Sequence, residues 1–435
     1  MKNVFTYILT LCSFTVLWAQ LNVLIIKTDD QSNQTLGAYG NTTMITPSMD
    51  QLAAEGTLFT AAYNMGCWSP AVCIPSRTMF MYGKHLWESK KINKKNAPKA
   101  LPQIFSANGY HTFMTGKWHA MGHRPEVLFD EVGGIPTKGQ LKTFYSAAGH
   151  MTDVTANHAI RFIENYSKDK PFFAYVAFNA PHVPRETEQA YYDMYPSDKM
   201  KLPPSFQHNM LLNKNVKYQY APEPLRKKTM QKRVQQNNAM VSHIDVQLGN
   251  IIKTLKAKGL YENTLIVFTS DHGINFGENG VAGKVCLYEP SVTAPLIIKG
   301  PGIKASKKIH NRVYLQDIVP TLYDLLGFTT LEPTDFQSFL PLLKGTKTPP
   351  SSIYLAMFTD QRGIVFENDK LIYYPESQVL ELYDLKTDPW ETTNLALKKG
   401  TKPTIKMLLE KLKSWQEKTK DETDLEHIYK KYNII

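Results

Sequence analysis

Residues 21–30 read Leu21-Asn22-Val23-Leu24-Ile25-Ile26-Lys27-Thr28-Asp29-Asp30. A short apolar run rich in β-branched side chains that stops on polar residues is the pattern of a buried strand whose C-terminal end opens onto a loop. Runs of the same form recur at 171–178 (PFFAYVAF), 264–269 (TLIVFT) and 294–299 (APLIIK). Between them the spacing predicts helices, the clearest over about 225–258. There Met230, Val234, Val241, Ile244, Leu248, Ile251 and Leu255 recur at three-, four- or seven-residue intervals and share one face. Strands alternating with helices point to an α/β fold with a largely parallel sheet covered on both sides. Ligands of such sheets collect beyond the strands' C-terminal ends. Asp29-Asp30, His182 and Asp271-His272 each follow a strand candidate, so all are expected at one edge.

Past Gly345, a Pro- and Thr-rich link over 346–351 leads to four short strand candidates at 353–358, 363–366, 370–374 and 379–384. They predict a small antiparallel sheet. Ile405, Leu408, Leu409, Leu412 and Trp415 give the tail, about 402–418, the spacing of a closing helix. The expected organisation is a main unit over 20–345 and an α+β subdomain over 346–435.

At the other end, Met1-Lys2-Asn3 carries one positive charge, and an apolar run from Phe5 to Trp18 ends at Ala19-Gln20. This is a signal peptide in outline over residues 1–19. A lipid anchor at Cys12 is the rival, disfavoured because Leu11 stands where a small residue is expected. Nothing later approaches the roughly 20 apolar residues of a membrane span, so the expectation is a periplasmic or secreted protein with no transmembrane segment. Removing the leader leaves Cys67, Cys73 and Cys286, an odd count that cannot form a disulfide framework.

The 435 residues are 43% hydrophobic and 20% charged, ordinary for a globular protein, and carry a formal charge of +11. Such a surface attracts polyanions. Charge by itself does not say which polyanion: nucleic acid is one candidate, against which export and the lack of any nucleic-acid module argue, and sulfated glycan is another.

Cys73-Ile74-Pro75-Ser76-Arg77 lies within Gly66-Cys67-Trp68-Ser69-Pro70-Ala71-Val72-Cys73-Ile74-Pro75-Ser76-Arg77-Thr78. It resembles the Cys-x-Pro-Ser-Arg signature of the type I, formylglycine-dependent sulfatases, a family of the alkaline-phosphatase-like superfamily. The match extends upstream into residues 46–56 (TPSMDQLAAEG) and downstream into 313–327 and 381–395. The resemblance implies a large mixed, mostly parallel sheet flanked by helices, with a smaller C-terminal antiparallel sheet and helix. It also implies that a formylglycine-generating or sulfatase-maturating enzyme oxidises Cys73 to an aldehyde. The hydrated aldehyde attacks sulfur with one hydroxyl, and the other later collapses to the carbonyl and ejects sulfate.

The resemblance extends residue by residue. Asp29, Asp30 and Asp271 are hard oxygen ligands that suit Ca2+, and the family adds residue 73 itself and His272, although imidazole is in general a poor calcium ligand. Thr115-Gly116-Lys117-Trp118-His119 is similar to the family's Gly-Lys-Trp-His element, which implies that Lys117 contacts sulfate and His119 faces the diol. Ala180-Pro181-His182-Val183-Pro184 matches Ala-Pro-His-x-Pro and makes His182 the expected proton donor to the leaving alcohol. Gly283-Lys284 matches a second sulfate-binding lysine, and Arg77 is expected to hold residue 73. Asn279 departs from the histidine of many relatives, which puts substrate contacts there in doubt. Cys286 leaves pairing with Cys67 open. The activity implied is hydrolysis of sulfate esters on a sulfated carbohydrate, a glycosaminoglycan or algal polysaccharide fragment. The alternatives are a phosphodiesterase or phosphonate monoester hydrolase of the superfamily, and a non-catalytic glycan-binding relative.

Overall fold

Asn22–Thr28 (β1) is buried along its whole length, and successive residues face opposite layers. Val23 and Ile25 join one apolar cluster and Leu24 and Ile26 another, so the sequence shows an unbroken apolar run. The computed structural model describes residues 20–135, 143–167, 169–217, 219, 224–329 and 331–434. The leader expected over 1–19 lies outside the described residues.

Five more principal strands complete the centre of the sheet: β2 (Thr57–Tyr63), β3 (His111–Gly116), β4 (Phe172–Ala177), β5 (Thr264–Ser270) and β6 (Thr293–Lys299). Their lateral order is β2-β6-β5-β1-β4-β3, within a sheet of nine strands among the described residues. β5, β1, β4 and β3 are consecutive neighbours and all parallel. β6 runs antiparallel to both β5 and β2, so the sheet is mixed and mostly parallel. Helices cover both faces. Phe80 and Met81 of α1 (Cys73–Tyr82) lie in the cluster of Val23 and Ile25. Ala159 of α2 (Met151–Asn165) joins Val241, Ile244 and Leu248 of α3 (Lys227–Ala257) against Leu24 and Ile26.

Beyond this sheet, β7 (Ile353–Met357), β8 (Gln361–Phe366), β9 (Asp369–Tyr374) and β10 (Val379–Asp384) form an antiparallel meander. The helix α4 (Lys402–Thr419) buries Ile405, Leu408, Leu409 and Leu412 in the meander's core. β7 also pairs in parallel with Gly66–Cys67, just upstream of Cys73. Cys67, Cys73 and Cys286 are all free thiols, so the pairing left open between Cys67 and Cys286 is not made. The Cys67 Sγ lies 3.2 Å from Met357 Sδ instead. Among the described residues, no helix is long and apolar enough to cross a membrane.

Candidate active site

The four adjacent parallel strands end on one edge and hand over its polar residues in order. β5 is followed by Asp271-His272, β1 by Asp29-Asp30, β4 by the loop holding His182, and β3 by Lys117 and His119. Two glycines permit the crowding. A Cβ on Gly116, where φ is +89°, would meet the Ala177 carbonyl oxygen at 1.9 Å, and one on Gly273 would meet the Pro290 oxygen at 2.0 Å. Cys73 opens α1, and Arg77 lies one turn further along the same helix.

Arg77 is fully buried and braces two strand ends. Its Nε donates to Asp271 Oδ2 and its Nη2 to Asp29 Oδ2, each at 3.0 Å, while Nη1 donates to the Lys117 carbonyl at 3.0 Å. The guanidinium is thus engaged by carboxylates and backbone. Ser76 Oγ donates to the Asp271 carbonyl at 2.6 Å, tying the same helix to β5's end. Lys117 Nζ lies 2.5 Å from Asp29 Oδ2, and Lys284 Nζ 2.7 Å from Asp30 Oδ1. Burial works against ionising Asp29 and Asp30, but Lys117, His182 and Arg77 around the first, and Lys284, His182 and His272 around the second, outweigh it. Both carboxyls therefore sit below the usual carboxylate range.

Asp29, Asp30, Asp271 and His272 offer ligand atoms that all lie within 4.8 Å of one another. His272 Nδ1 donates to the Gly273 carbonyl at 2.9 Å. In the neutral ring, this puts the lone pair on Nε2, which has no hydrogen-bond partner and faces Asp30 Oδ1 at 3.3 Å and Asp271 Oδ1 at 3.6 Å. Asp29 Oδ1 is likewise buried and unpartnered. Buried polar atoms are rarely left unpaired. Two such atoms in a cluster of three carboxylates and an imidazole fit a divalent cation.

Cys73 Sγ lies 3.0 Å from His119 Nδ1. Burial, then Lys117 and Arg77, bring the His119 pKa down to about 4, so its ring is neutral at neutral pH and free to accept a proton. His182 sits between two cis X-Pro bonds, Ala180–Pro181 and Val183–Pro184. Its Nδ1 lies 2.6 Å from the Val183 carbonyl, and burial lowers its pKa despite Asp30 nearby.

His182, Asp30 and Lys284 line a cavity of about 410 Å3 whose wall also includes Arg185, Arg233 and Phe276. A larger cavity, about 650 Å3, lies at the far edge beside β3 and holds none of the expected site residues. The structure brings Asp29, Asp30, Cys73, Arg77, Lys117, His119, His182, Asp271, His272 and Lys284 to one region. Sequence reading overlooked Lys27, Arg185 and Arg233. Lys27 Nζ is buried with no hydrogen-bond partner, 4.1 Å from the Phe80 ring centre, and burial together with Arg77 brings its pKa down to about 7. A lysine inside an apolar strand was the available signal. For Arg185 it was position, three residues past His182 in the same loop.

Comparison with known proteins identifies the family. Residues 21–328 match the Sulfatase family model, and residues 277–418 match the model for the N-sulphoglucosamine sulphohydrolase C-terminal region. A sulfatase of Formosa agariphila is 28% identical over 94% of this chain and 88% of its own. An N-acetylglucosamine-6-O-sulfatase of Bacteroides thetaiotaomicron is 26% identical over 92% and 87%. A structure solved in complex with D-glucosamine-2-N,6-O-disulfate superposes with a TM-score of 0.80 at 23% identity, covering 94% of this chain and 100% of that one. With the family model spanning most of its length, the chain belongs to the sulfatase family and is a sulfuric ester hydrolase.

Proposed function

We propose that this sulfatase is exported, is matured at Cys73 to formylglycine by a sulfatase-maturating enzyme, holds Ca2+ at Asp29, Asp30, Asp271, His272 and the modified Cys73, and removes sulfate from a sulfated carbohydrate. The observation that carries this reading is the placement of Cys73 Sγ, 3.0 Å from a neutral His119 and beside a cluster of three carboxylates and one imidazole. Oxygen-rich donor sets favour calcium over softer transition metals. The carbohydrate assignment draws on the relative that acts as an N-acetylglucosamine-6-O-sulfatase, and on the basic charge of +11. The unit over 20–345 carries the chemistry, and the subdomain over 346–435 supports it.

When present, the hydrated aldehyde supplies a nucleophilic hydroxyl and the cation supplies charge against the sulfate oxygens. The chain's own residues do the rest. Lys117 and Lys284 add positive charge where the tetrahedral anion binds, and Arg77 holds the Asp29 and Asp271 carboxylates in place. Cys73 Sγ marks where the oxygen of the modified residue stands, so His119 Nδ1 is placed to take its proton. His182 keeps Nδ1 on the Val183 carbonyl, which directs Nε2 as the proton donor to the leaving alcohol. That role needs the imidazolium, which a bound sulfate anion favours.

The test is turnover by protein co-expressed with a maturating enzyme. We expect peptide mass analysis to find the aldehyde at residue 73. Aryl sulfate and sulfated mono- and oligosaccharides should be hydrolysed with calcium. An unmodified thiol in active protein would sink the formylglycine reading. Preference for aryl phosphate with manganese would favour a phosphoester or phosphonate hydrolase instead.

A further inference from the structure

Arg185 belongs to the loop after β4 and lines the 410 Å3 cavity together with His182, Asp30 and Lys284. Its Nε is sealed from solvent and has no hydrogen-bond partner. The guanidinium carbon sits 5.2 Å from the centre of the Phe276 ring, which holds it by its face. Arg233, reaching from α3, lines the same cavity. Burial brings the Arg185 pKa down to about 10, and Arg233 pushes the same way against Asp30. Asp30, the one acid among the described residues of that wall, already receives Lys284. The Arg185 guanidinium therefore faces, with Arg233 beside it, a space whose one carboxylate among the described residues is engaged by Lys284. A cation left without a partner away from water is costly, and an anionic ligand group offsets that cost. The planar fork of an arginine suits two-oxygen anions, carboxylate and sulfate alike. A volume of about 410 Å3 lies toward the lower end of the roughly 300–1,000 Å3 found for small-ligand clefts.

We propose that Arg185, with Arg233 beside it, binds a second anionic group on the substrate, a carboxylate or further sulfate carried by the sugar whose sulfate ester is cleaved. Arg185 thereby selects doubly charged sugars over singly charged ones. The proposal rests on the sulfated-carbohydrate reading above.

Three substrates test it with matured, calcium-loaded enzyme: a neutral monosaccharide bearing one sulfate, the same sugar bearing two, and a uronate monosaccharide bearing one sulfate. The reading is the ratio of kcat/KM for each dianionic sugar to that for the singly sulfated one, in the unmutated protein and in R185Q and R185K. Charge-assisted hydrogen bonds lead us to expect R185Q to lower the ratio on the order of 10- to 100-fold. R185K should fall between, keeping the charge but not the fork. Calorimetric affinities of the same sugars in a C73A background, with and without R185Q, should move in parallel. A drop confined to the disulfated sugar assigns a sulfate, and one confined to the uronate assigns a carboxylate. Unchanged ratios overturn the proposal while leaving sulfatase action on sugars intact. If the unmutated enzyme cleaves aryl sulfate and none of the three sugars, the carbohydrate reading falls and this inference falls with it.

Discussion

Arg77 and Arg362 are both buried arginines, and they are used in opposite ways. Arg362 gives Nε and Nη2 to the two oxygens of one carboxylate, Asp421, at 2.6 and 2.8 Å, and Nη1 to the Phe358 and Gln361 carbonyls. Asp421 also accepts from Tyr354 and Thr423 hydroxyls, so the pair closes on itself and ties β8 to the end of α4. Arg77 instead spreads across Asp29 and Asp271 on different strands, and the cluster it braces keeps Asp29 Oδ1 and His272 Nε2 unpartnered. A saturated ion pair is complete as folded. A braced but unsaturated one is built to receive something else, which separates structural buried charge from functional buried charge.

The largest effect should come from breaking the unsaturated brace. R77A removes the partner of two buried carboxylates, so it should cost about 3–5 kcal/mol of stability. It should also cost at least about 1,000-fold in kcat/KM, because the cluster loses its arrangement. R362A should cost a similar 3–5 kcal/mol and, assayed below its melting temperature, keep turnover within roughly threefold. Urea melts and steady-state kinetics on both variants check this. An R362A protein as inactive as R77A would erase the distinction.

Cation binding gives the next effect. Calcium at 100 times its Kd should stabilise the protein by about 2.7 kcal/mol, seen as a rise in melting temperature. D271N should lose most of that rise, while R362A should keep it from a lower starting point. If D271N responds to calcium as the unmutated protein does, the cation is not held at this cluster.

Smaller again is Lys27, a third kind of buried charge that neither pairs nor faces a ligand atom. Replacing a buried ion by a similar-sized hydrophobe is often stabilising, so K27M should gain about 1–3 kcal/mol in urea unfolding at pH 7. A loss instead would mean that the Lys27 ammonium, which feels the charge of Arg77, is needed to hold the brace.

Much of this was legible in the sequence, and the parts that were not share a physical cause. β1, β4 and β5 announce themselves because strands buried on both faces become continuous apolar runs. β2 (TLFTAAY) and β3 (HTFMTG) are also largely buried, but threonine, alanine and glycine break their runs, and both strands escaped notice. The antiparallel direction of β6 depends on its neighbours, Phe59 and Phe268 among them, and leaves no local mark. Within the site, motif spacing assembled Asp29, Asp30, Cys73, Lys117, His119, His182, Asp271, His272 and Lys284. It could not show that Arg77 bonds carboxylates, because that contact spans residues 29, 77 and 271. Arg185 stands close to His182 in the sequence, but its significance lies in an Nε without a hydrogen-bond partner, which no motif shows.

Glu278 offers the finest cut between the two kinds of buried charge, since its carboxylate is buried with a backbone N–H and no cation. It accepts from Phe276 N at 2.5 Å, and burial, with Glu391 adding to it, raises its pKa to about 7 from an ordinary 4.5. The folded protein therefore binds this proton more tightly than the unfolded chain does. The stability contributed is fully present below about pH 4.5, declines as pH rises, and is gone above about pH 7. A shift of that size corresponds to at most about 3 kcal/mol. E278Q keeps an oxygen for the Phe276 N–H and removes the titration. It should match the unmutated protein at pH 4.5 and exceed it by about 1–3 kcal/mol at pH 8, read from urea melts at both values. A gap of equal size at the two pH values would place the effect in packing, and would mean that Glu278 is already ionised at acid pH inside the fold. In that case an unpaired carboxylate is tolerated here at little cost, and the absence of a partner would no longer distinguish a functional buried charge from a structural one.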